Sequence, residues 1–208
     1  MKLVTYYTDS HFNLYRNYFI PSIKDNFEVF QKCGNQVSSD GSYFNEGFSE
    51  TTKNKIEFLL ESLEHLNEDE VVLFSDVDII FLSPVKEYLD QYIEYDMVFQ
   101  EGFGGLNTGF FIMKNKKPVR DLLKSVIYNC HLYHDDQVTL NYLIRDSELK
   151  YATFDYRIMS PATIIGPRIW ENQLFDVPQD VLVFHACWCA GVENKTRLLE
   201  HVRQYRNS

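Results

Sequence analysis

The sequence predicts a single-domain α/β fold with a mostly parallel central sheet flanked by helices, spanning residues 1–208. The chain has 208 residues, of which 45% are hydrophobic and 24% charged, which is typical of one globular domain. Residues 71–74 form a continuous apolar run, as expected for a strand buried on both faces. Strand patterns alternate with helix patterns along the chain, and this alternation favours a layered fold.

The individual elements follow from local patterns. β-branched and aromatic residues predict a first strand at 2–8, and apolar residues three and four apart between 56 and 63 predict the clearest helix. Residues 79–82 form a second apolar run, after which Ser83 and Pro84 predict the N-cap and first position of a helix reaching residue 92. Further strands are predicted at 27–30, 97–100, 106–113, near 151 and at 181–185, helices at 15–23, 119–130, 135–144 and 195–204, and a polar loop at 34–48.

Charge and composition exclude several classes of protein. The formal net charge is −10, which disfavours a nucleic-acid partner because the phosphate backbone would be repelled. No apolar run reaches the roughly 18 residues of a membrane span, and the first residues turn polar before a signal-peptide core could form. The four cysteines lack zinc-ligand spacing and are expected to be free thiols. We therefore expect a soluble, cytoplasmic protein.

The segment Asp76-Val77-Asp78 follows the apolar run at 71–74. In an extended segment residues two apart face the same side, so both carboxylates can meet one hard cation while Val77 turns into the core. Two carboxylates at the mouth of a buried strand repel each other unless a cation joins them. The pattern predicts a metal site.

Two polar motifs allow both a structural and a functional interpretation. Asn107 and Gly109 open a strand, where they could form an ordinary turn or offer an amide and close approach to a polyhydroxyl ligand. Asp135 and Asp136 begin a helix, where they could cap it or accept a proton from an acceptor hydroxyl while Gln137 faces the reacting carbon.

His185 closes a predicted strand and is followed by Gly191 and Lys195. A lone histidine here is more often a hydrogen-bonded structural residue than a ligand. Beside a carboxylate pair, His185 can instead complete the ligand set of a metal, and Lys195 can neutralise a phosphate.

Taken in order, residues 71–78, 107–109, 136–137 and 185–195 resemble the nucleotide-diphospho-sugar transferases of the glycosyltransferase-A fold, which is Rossmann-like and carries an Asp-x-Asp motif. The resemblance covers essentially the whole chain. The chain is similar to the small soluble branch of that superfamily and to N-terminal domains of chlorella-virus glycosyltransferases. This likeness implies that further domains could belong to a longer polypeptide and that a viral protein would act in the host-cell cytoplasm.

The resemblance also implies roles for individual residues. Asp78 would bind Mn²⁺ or Mg²⁺ directly, Asp76 would hold the ribose and a metal-bound water, and His185 would be the third protein ligand. Asn107 and Asp136 would contact the donor sugar. The residues implied in binding the nucleotide sugar are Thr5, Tyr6, Tyr7, Thr8, Lys55, Asp76, Val77, Asn107, Gly191 and Lys195. Relatives often have Asn where this chain has Cys187, so a polar role for that position is not carried over.

The expected reaction moves a hexose or deoxyhexose from a UDP-sugar, of the UDP-glucose or UDP-L-rhamnose type, to a hydroxyl of a glycan or glycoprotein. Asp136 is the first candidate for the carboxylate near the anomeric carbon and Asp135 the second, with Gln137 beside them. One alternative is a haloacid-dehalogenase phosphohydrolase using Asp76 as nucleophile, although its motif usually lies on the first strand. The other is a sugar-nucleotide-binding module without catalysis.

Overall fold

The computed structural model describes residues 1–39 and 45–207, so the middle of the predicted loop at 34–48 lies outside the described residues. The strands are β1 (Lys2–Thr8), β2 (Glu28–Gly34), β3 (Val71–Ser75), β4 (Ile79–Phe81), β5 (Met97–Gly102), β6 (Gly105–Lys114), β7 (Tyr151–Thr153), β8 (Ile158–Met159) and β9 (Val183–His185). The helices are α1 (Phe12–Leu14), α2 (Ile20–Ser22), α3 (Phe48–Leu63), α4 (Lys86–Asp90), α5 (Lys117–Asn129), α6 (Asp136–Leu143), α7 (Ala162–Ile165) and α8 (Val192–Asn207).

A six-stranded sheet with the order β2-β1-β3-β6-β5-β7 forms the centre of the fold. The pairs β1–β2, β1–β3 and β5–β7 are parallel, whereas β6 runs antiparallel to both of its neighbours. A smaller sheet with the order β4-β9-β8 lies beside it. The expected α/β fold with a mostly parallel sheet is confirmed.

Apolar side chains cover both faces of the central sheet. On one face Val72 and Phe74 pack with α3, α5 and α6, and on the other Leu73 packs with α8, the smaller sheet and the N-terminal helical segment. All three residues are fully buried, as the continuous apolar run predicted.

The antiparallel direction of β6 has a local cause. Gly102 and Gly105 pair with each other, so only Phe103 and Gly104 connect β5 to β6. A connection this short joins antiparallel strands, since a parallel crossover needs a dozen or more residues. Gly104 has φ +83°, a conformation that glycine adopts without steric cost.

The predicted start of the helix after residues 79–82, with Ser83 as N-cap and Pro84 as its first residue, is wrong. Helix α4 begins at Lys86 with Val85 as its N-cap. The carboxylate of Asp25, distant in sequence, accepts the N–H of this N-cap residue at 2.6 Å, a tertiary contact that the local Ser-Pro pattern could not indicate. The short elements β8 and α7 were not predicted at all.

The direction of the strands places the functional motifs. The carboxyl ends of β1 and β3 and the beginning of β6 lie at one edge of the sheet, where Ser75 pairs with Phe110. Asp76 then donates its N–H to the carbonyl of Gly109 at 2.7 Å. Open α/β sheets bind ligands at this edge. Among the described residues, no helix has the length and apolar character to span a membrane.

Candidate active site

A cavity of about 470 Å³ opens at this edge of the sheet. It is lined by most of the residues that the sequence singled out, namely Tyr6, Tyr7, Thr8, Lys55, Asp76, Val77, Asp78, Asn107, Asp135, Asp136, Gln137, His185, Gly191 and Lys195. Thr5 is fully buried within β1 and does not border the cavity. Distant segments therefore meet in one site of a size suited to a small molecule.

Asp76, Asp78 and His185 form the cluster that can hold a metal ion. One ligand atom from each lies within 4.8 Å of the others, and His185 Nε2 is 3.3 Å from Asp78 Oδ1. The two aspartates lie between β3 and β4, and His185 ends β9, where it pairs with Ile79 of β4. Val77 is 3% exposed, which confirms that it turns into the core.

Gly109 makes room for this cluster. A Cβ atom at position 109 would lie 2.4 Å from His185 Cε1 and 2.8 Å from Asp76 Oδ2. Both distances are shorter than van der Waals contact, so any other residue would displace a ligand. The Gly109 N–H donates to Asn107 Oδ1 at 2.8 Å, which fixes the Asn107 side chain beside the cluster.

The charges around the cluster are balanced by two lysines and the histidine. Lys195 Nζ is 2.7 Å from Asp78 Oδ2, and together with His185 it outweighs burial and holds the pKa of Asp78 well below its ordinary value. Burial raises the pKa of Asp76 to about 6, with Lys55 lowering it and Asp78 raising it. Burial by itself lowers the pKa of His185, but Cys187 and Asp78 outweigh burial and raise this pKa to about 10.

Lys55 links the metal cluster to α6. Its Nζ lies 2.7 Å from Asp136 Oδ2 and 3.8 Å from Asp76 Oδ1, and it donates to the Thr108 carbonyl at 3.4 Å. Lys55 is 7% exposed, and the two carboxylates outweigh its burial and raise its pKa. An ammonium this buried stays charged because anions face it. Lys55 therefore bridges the carboxylates of Asp136 and Asp76 and holds them on the same side of the cavity.

The start of α6 separates the two candidate carboxylates. Asp135 is the N-cap, and its Oδ1 accepts the Val138 N–H at 2.7 Å. Asp136 donates its N–H to Thr52 Oγ1 at 3.4 Å and pairs with Lys55 through its side chain. Gln137 Oε1 accepts the Thr108 N–H at 3.3 Å. Asp135 thus has a structural role of its own, whereas the Asp136 side chain belongs to the charged network of the cavity.

Gln100 is a member of the site that the sequence interpretation missed. It is fully buried on β5, and its Oε1 lies 2.7 Å from His185 Nδ1. The available signal was an amide directly after the apolar residues 97–99, at the end of the strand predicted at 97–100. A polar residue in such a position requires a partner.

The donor set fits a divalent cation. Two carboxylates and an imidazole are oxygen and nitrogen ligands of the kind that Mn²⁺, Mg²⁺ and Zn²⁺ accept, and the missing Cβ of Gly109 leaves the space between them clear. Asp76, Asp78 and His185 would hold the ion. Lys195 Nζ is 2.7 Å from Asp78 Oδ2, so its ammonium could also contact an anion that binds beside the ion.

A family model for nucleotide-diphospho-sugar transferases matches residues 20–199. The chain belongs to this family. The match covers every motif of the cavity except those on β1. It also argues against the haloacid-dehalogenase alternative, because the Asp-x-Asp segment falls within the transferase match. No curated protein matches the sequence.

Solved structures show the same fold. The glycosyltransferase GlyE from Streptococcus pneumoniae TIGR4 is 16% identical with a TM-score of 0.59, over 100% of this chain and 61% of that one. A glycosyltransferase involved in glycosylation of the major capsid of PBCV-1 is 10% identical with a TM-score of 0.60, over 98% and 100%. The galactosyltransferase LgtC is 14% identical with a TM-score of 0.59, over 99% and 96%. The chain therefore spans about three-fifths of GlyE and nearly all of the other two.

Proposed function

We propose that this transferase is a metal-dependent glycosyltransferase that moves a hexose or deoxyhexose from a UDP-sugar to a hydroxyl of a glycan or glycoprotein. The observation that carries the proposal is the meeting of Asp76, Asp78 and His185 with Lys195 in one cavity. The donors considered first are UDP-glucose and UDP-L-rhamnose. The 1–208 chain is proposed to act as one domain, alone or within a longer polypeptide.

The phosphate side of the cavity explains how an acidic protein can bind an anionic donor. A divalent cation, when bound, would neutralise the diphosphate and stabilise the negative charge that grows on it as the sugar leaves. Lys195 would supply a second positive charge. Gly191 precedes the first residue of α8, and backbone N–H groups at a helix N-terminus favour an anion. The reaction thereby obtains positive charge locally despite the net charge of −10.

The sugar side is assigned to Asn107 and Asp136. Both residues border the cavity. Asn107 accepts the N–H of Gly109, which lies against Asp76, and Asp136 is linked to Asp76 by Lys55. A carboxylate near the anomeric carbon can take the acceptor proton in an inverting reaction or stabilise the oxocarbenium-like state in a retaining one. The ammonium of Lys55, 2.7 Å from Oδ2, holds the Asp136 carboxylate in position for either role.

Apolar side chains at the cavity offer a surface for an acceptor. Trp188 and Ile169 line the cavity, and the ring of Phe103, which is 63% exposed, meets Trp188 edge-on at 6.3 Å. Sugar-binding clefts combine such aromatic walls with a few placed polar groups. The descriptions of the similar structures, a galactosyltransferase with donor and acceptor sugar analogues and a capsid-glycosylating enzyme, support hexosyl transfer to a glycan.

Calorimetry of UDP binding with Mn²⁺ or with EDTA tests the metal assignment. We expect EDTA to weaken UDP binding at least tenfold, and Asp78→Ala to do the same in the presence of Mn²⁺, because an unneutralised diphosphate would face Asp76. Equal affinity with and without EDTA would remove the metal from the proposal.

A panel of UDP-sugars then tests turnover. Release of UDP from one member, in the presence of Mn²⁺ and dependent on Asp78, is the expected result. A structure soaked with Mn²⁺ and that donor would show the sugar beside Asn107 and Asp136. Metal-dependent binding of the donors without transfer to any glycan would instead support the alternative of a binding module without catalysis.

A further inference from the structure

Gln100 lies behind His185, on the side away from Asp78. Its Oε1 is 2.7 Å from His185 Nδ1, whereas Asp78 Oδ1 is 3.3 Å from Nε2 of the same ring. Both Gln100 and His185 are buried, so this contact forms without competing solvent. The imidazole is therefore held at both of its nitrogens.

The chemistry of a metal ligand decides the direction of this hydrogen bond. The nitrogen that binds a cation carries no proton, so a neutral His185 that ligates through Nε2 must carry its proton on Nδ1. Nδ1–H then donates, and Gln100 must present its carbonyl oxygen rather than its amide nitrogen. The observed contact through Oε1 has this orientation.

A local irregularity of the backbone places the Gln100 side chain. The pairing of β5 with β6 shifts register between Phe99 and Gln100, where Phe99 pairs with Phe111 and Gln100 with Asn107. β-bulges redirect a side chain and occur often beside active sites. Phe99 packs into the core with Phe74 and Phe111, whereas Gln100 reaches His185.

The other half of the amide speaks against a purely structural role. Gln100 Nε2 is buried and has no hydrogen-bond partner among the described residues. An unpaired buried donor destabilises the folded state, and an apolar residue of the same shape would avoid that loss. The favourable part of this side chain is its contact with His185.

We propose that Gln100 is a positioning residue that orients His185 by accepting a hydrogen bond from Nδ1–H, so that Nε2 faces the carboxylates and is the nitrogen that exchanges its proton for a divalent cation. The inference rests on the metal site of the proposed function. It extends that site by a residue on β5, a strand that contributes no residue to the ligand set.

The test compares Gln100→Met, which keeps the length of the side chain but has no strong acceptor, with Gln100→Glu, which keeps the acceptor. Mn²⁺ is titrated into each protein, and the free ion is measured by its EPR signal. We expect Gln100→Met to weaken Mn²⁺ binding about 10- to 100-fold, the usual loss for an outer partner of a metal-bound histidine, and Gln100→Glu to stay within about threefold of the wild type. Thermal unfolding of Gln100→Met should occur at or above the wild-type temperature.

Each other outcome overturns a specific statement. Wild-type affinity in Gln100→Met, or an equal loss in both variants, would show that the acceptor does not position His185. A Gln100→Met or Gln100→Leu protein that lacks a cooperative unfolding transition would make the residue structural. Wild-type protein that binds no Mn²⁺ would remove the metal site itself, and with it the proposed function.

Discussion

Replacing Lys55 with methionine tests the buried charge network most directly. Lys55 is 7% exposed and Asp136 is 2% exposed, with 2.7 Å between Nζ and Oδ2. Methionine fills the space of the aliphatic stem but leaves Asp136 as a buried carboxylate without a cation. Breaking a buried pair from one side costs about 3–5 kcal/mol. Asp76 contributes less to this loss, because its side chain is 29% exposed and can be solvated.

We expect the free energy of unfolding to fall by about 3 kcal/mol, the lower end of that range, since water can enter the cavity beside Asp136. For a chain of this size that loss corresponds to about 6–12 °C in Tm. Urea titration followed by circular dichroism measures the free energy, and differential scanning calorimetry measures Tm.

Lys53→Met is the matched control on the same helix. The Lys53 side chain is 44% exposed and pairs with Glu57 at 3.5 Å, so its loss should cost less than about 1 kcal/mol. The double variant Lys55→Met/Asp136→Asn should lose less stability than Lys55→Met alone, because no buried charge is left unpaired. If Lys55→Met and Lys53→Met destabilise equally, the ion pair with Asp136 is not a buried interaction and the reasoning fails.

Three further predictions concern sugar transfer, metal binding and UDP binding. Asp136→Asn should keep UDP affinity within about threefold but lower the transfer rate about 10²-fold. Asp135→Asn, which keeps the helix cap, should transfer sugar at the wild-type rate. Full activity in Asp136→Asn would end the assignment of Asp136 to the sugar side. Gly109→Ala should lower Mn²⁺ affinity at least about tenfold and the free energy of unfolding by about 1–3 kcal/mol, because the new Cβ would lie 2.4 Å from His185 Cε1. EPR titration measures the affinity and urea unfolding the stability. Unchanged affinity would contradict the steric conflict between this Cβ and His185. Lys195→Ala should weaken UDP binding about 10- to 100-fold by calorimetry, and unchanged affinity would exclude a phosphate contact.

Local sequence was sufficient for the elements that carry strong periodic patterns. The strand at 2–8 and the apolar run at 71–74 were predicted because hydrophobic burial on a strand leaves a direct record in the order of residues. The helix marked by apolar residues from 56 to 63 was found for the same reason. The Asp-x-Asp segment was placed at the end of a buried strand, and Val77 was assigned to the core, because side chains alternate along an extended chain.

The sequence also indicated which residue types belong to the site, but not how they pair. Asp135 and Asp136 looked equivalent as helix-start carboxylates, and only the packing of α3 against α6 brings Lys55 to Asp136 and leaves Asp135 as the cap. Gln100 was missed because its partner, His185, is 85 residues away along the chain. Such contacts depend on the position of one element against another, which no local pattern records.

Local patterns alone determined most of the strands and helices of this protein, its acidic character and the residues of its Asp-x-Asp motif. Tertiary structure decided the contact of Asp25 with the start of α4 and the meeting of Asp76, Asp78 and His185 around Gly109. The physical reason is the range of the forces involved. Backbone propensity and side-chain alternation act between near neighbours in sequence, whereas ion pairs, hydrogen bonds and steric fit act between neighbours in space.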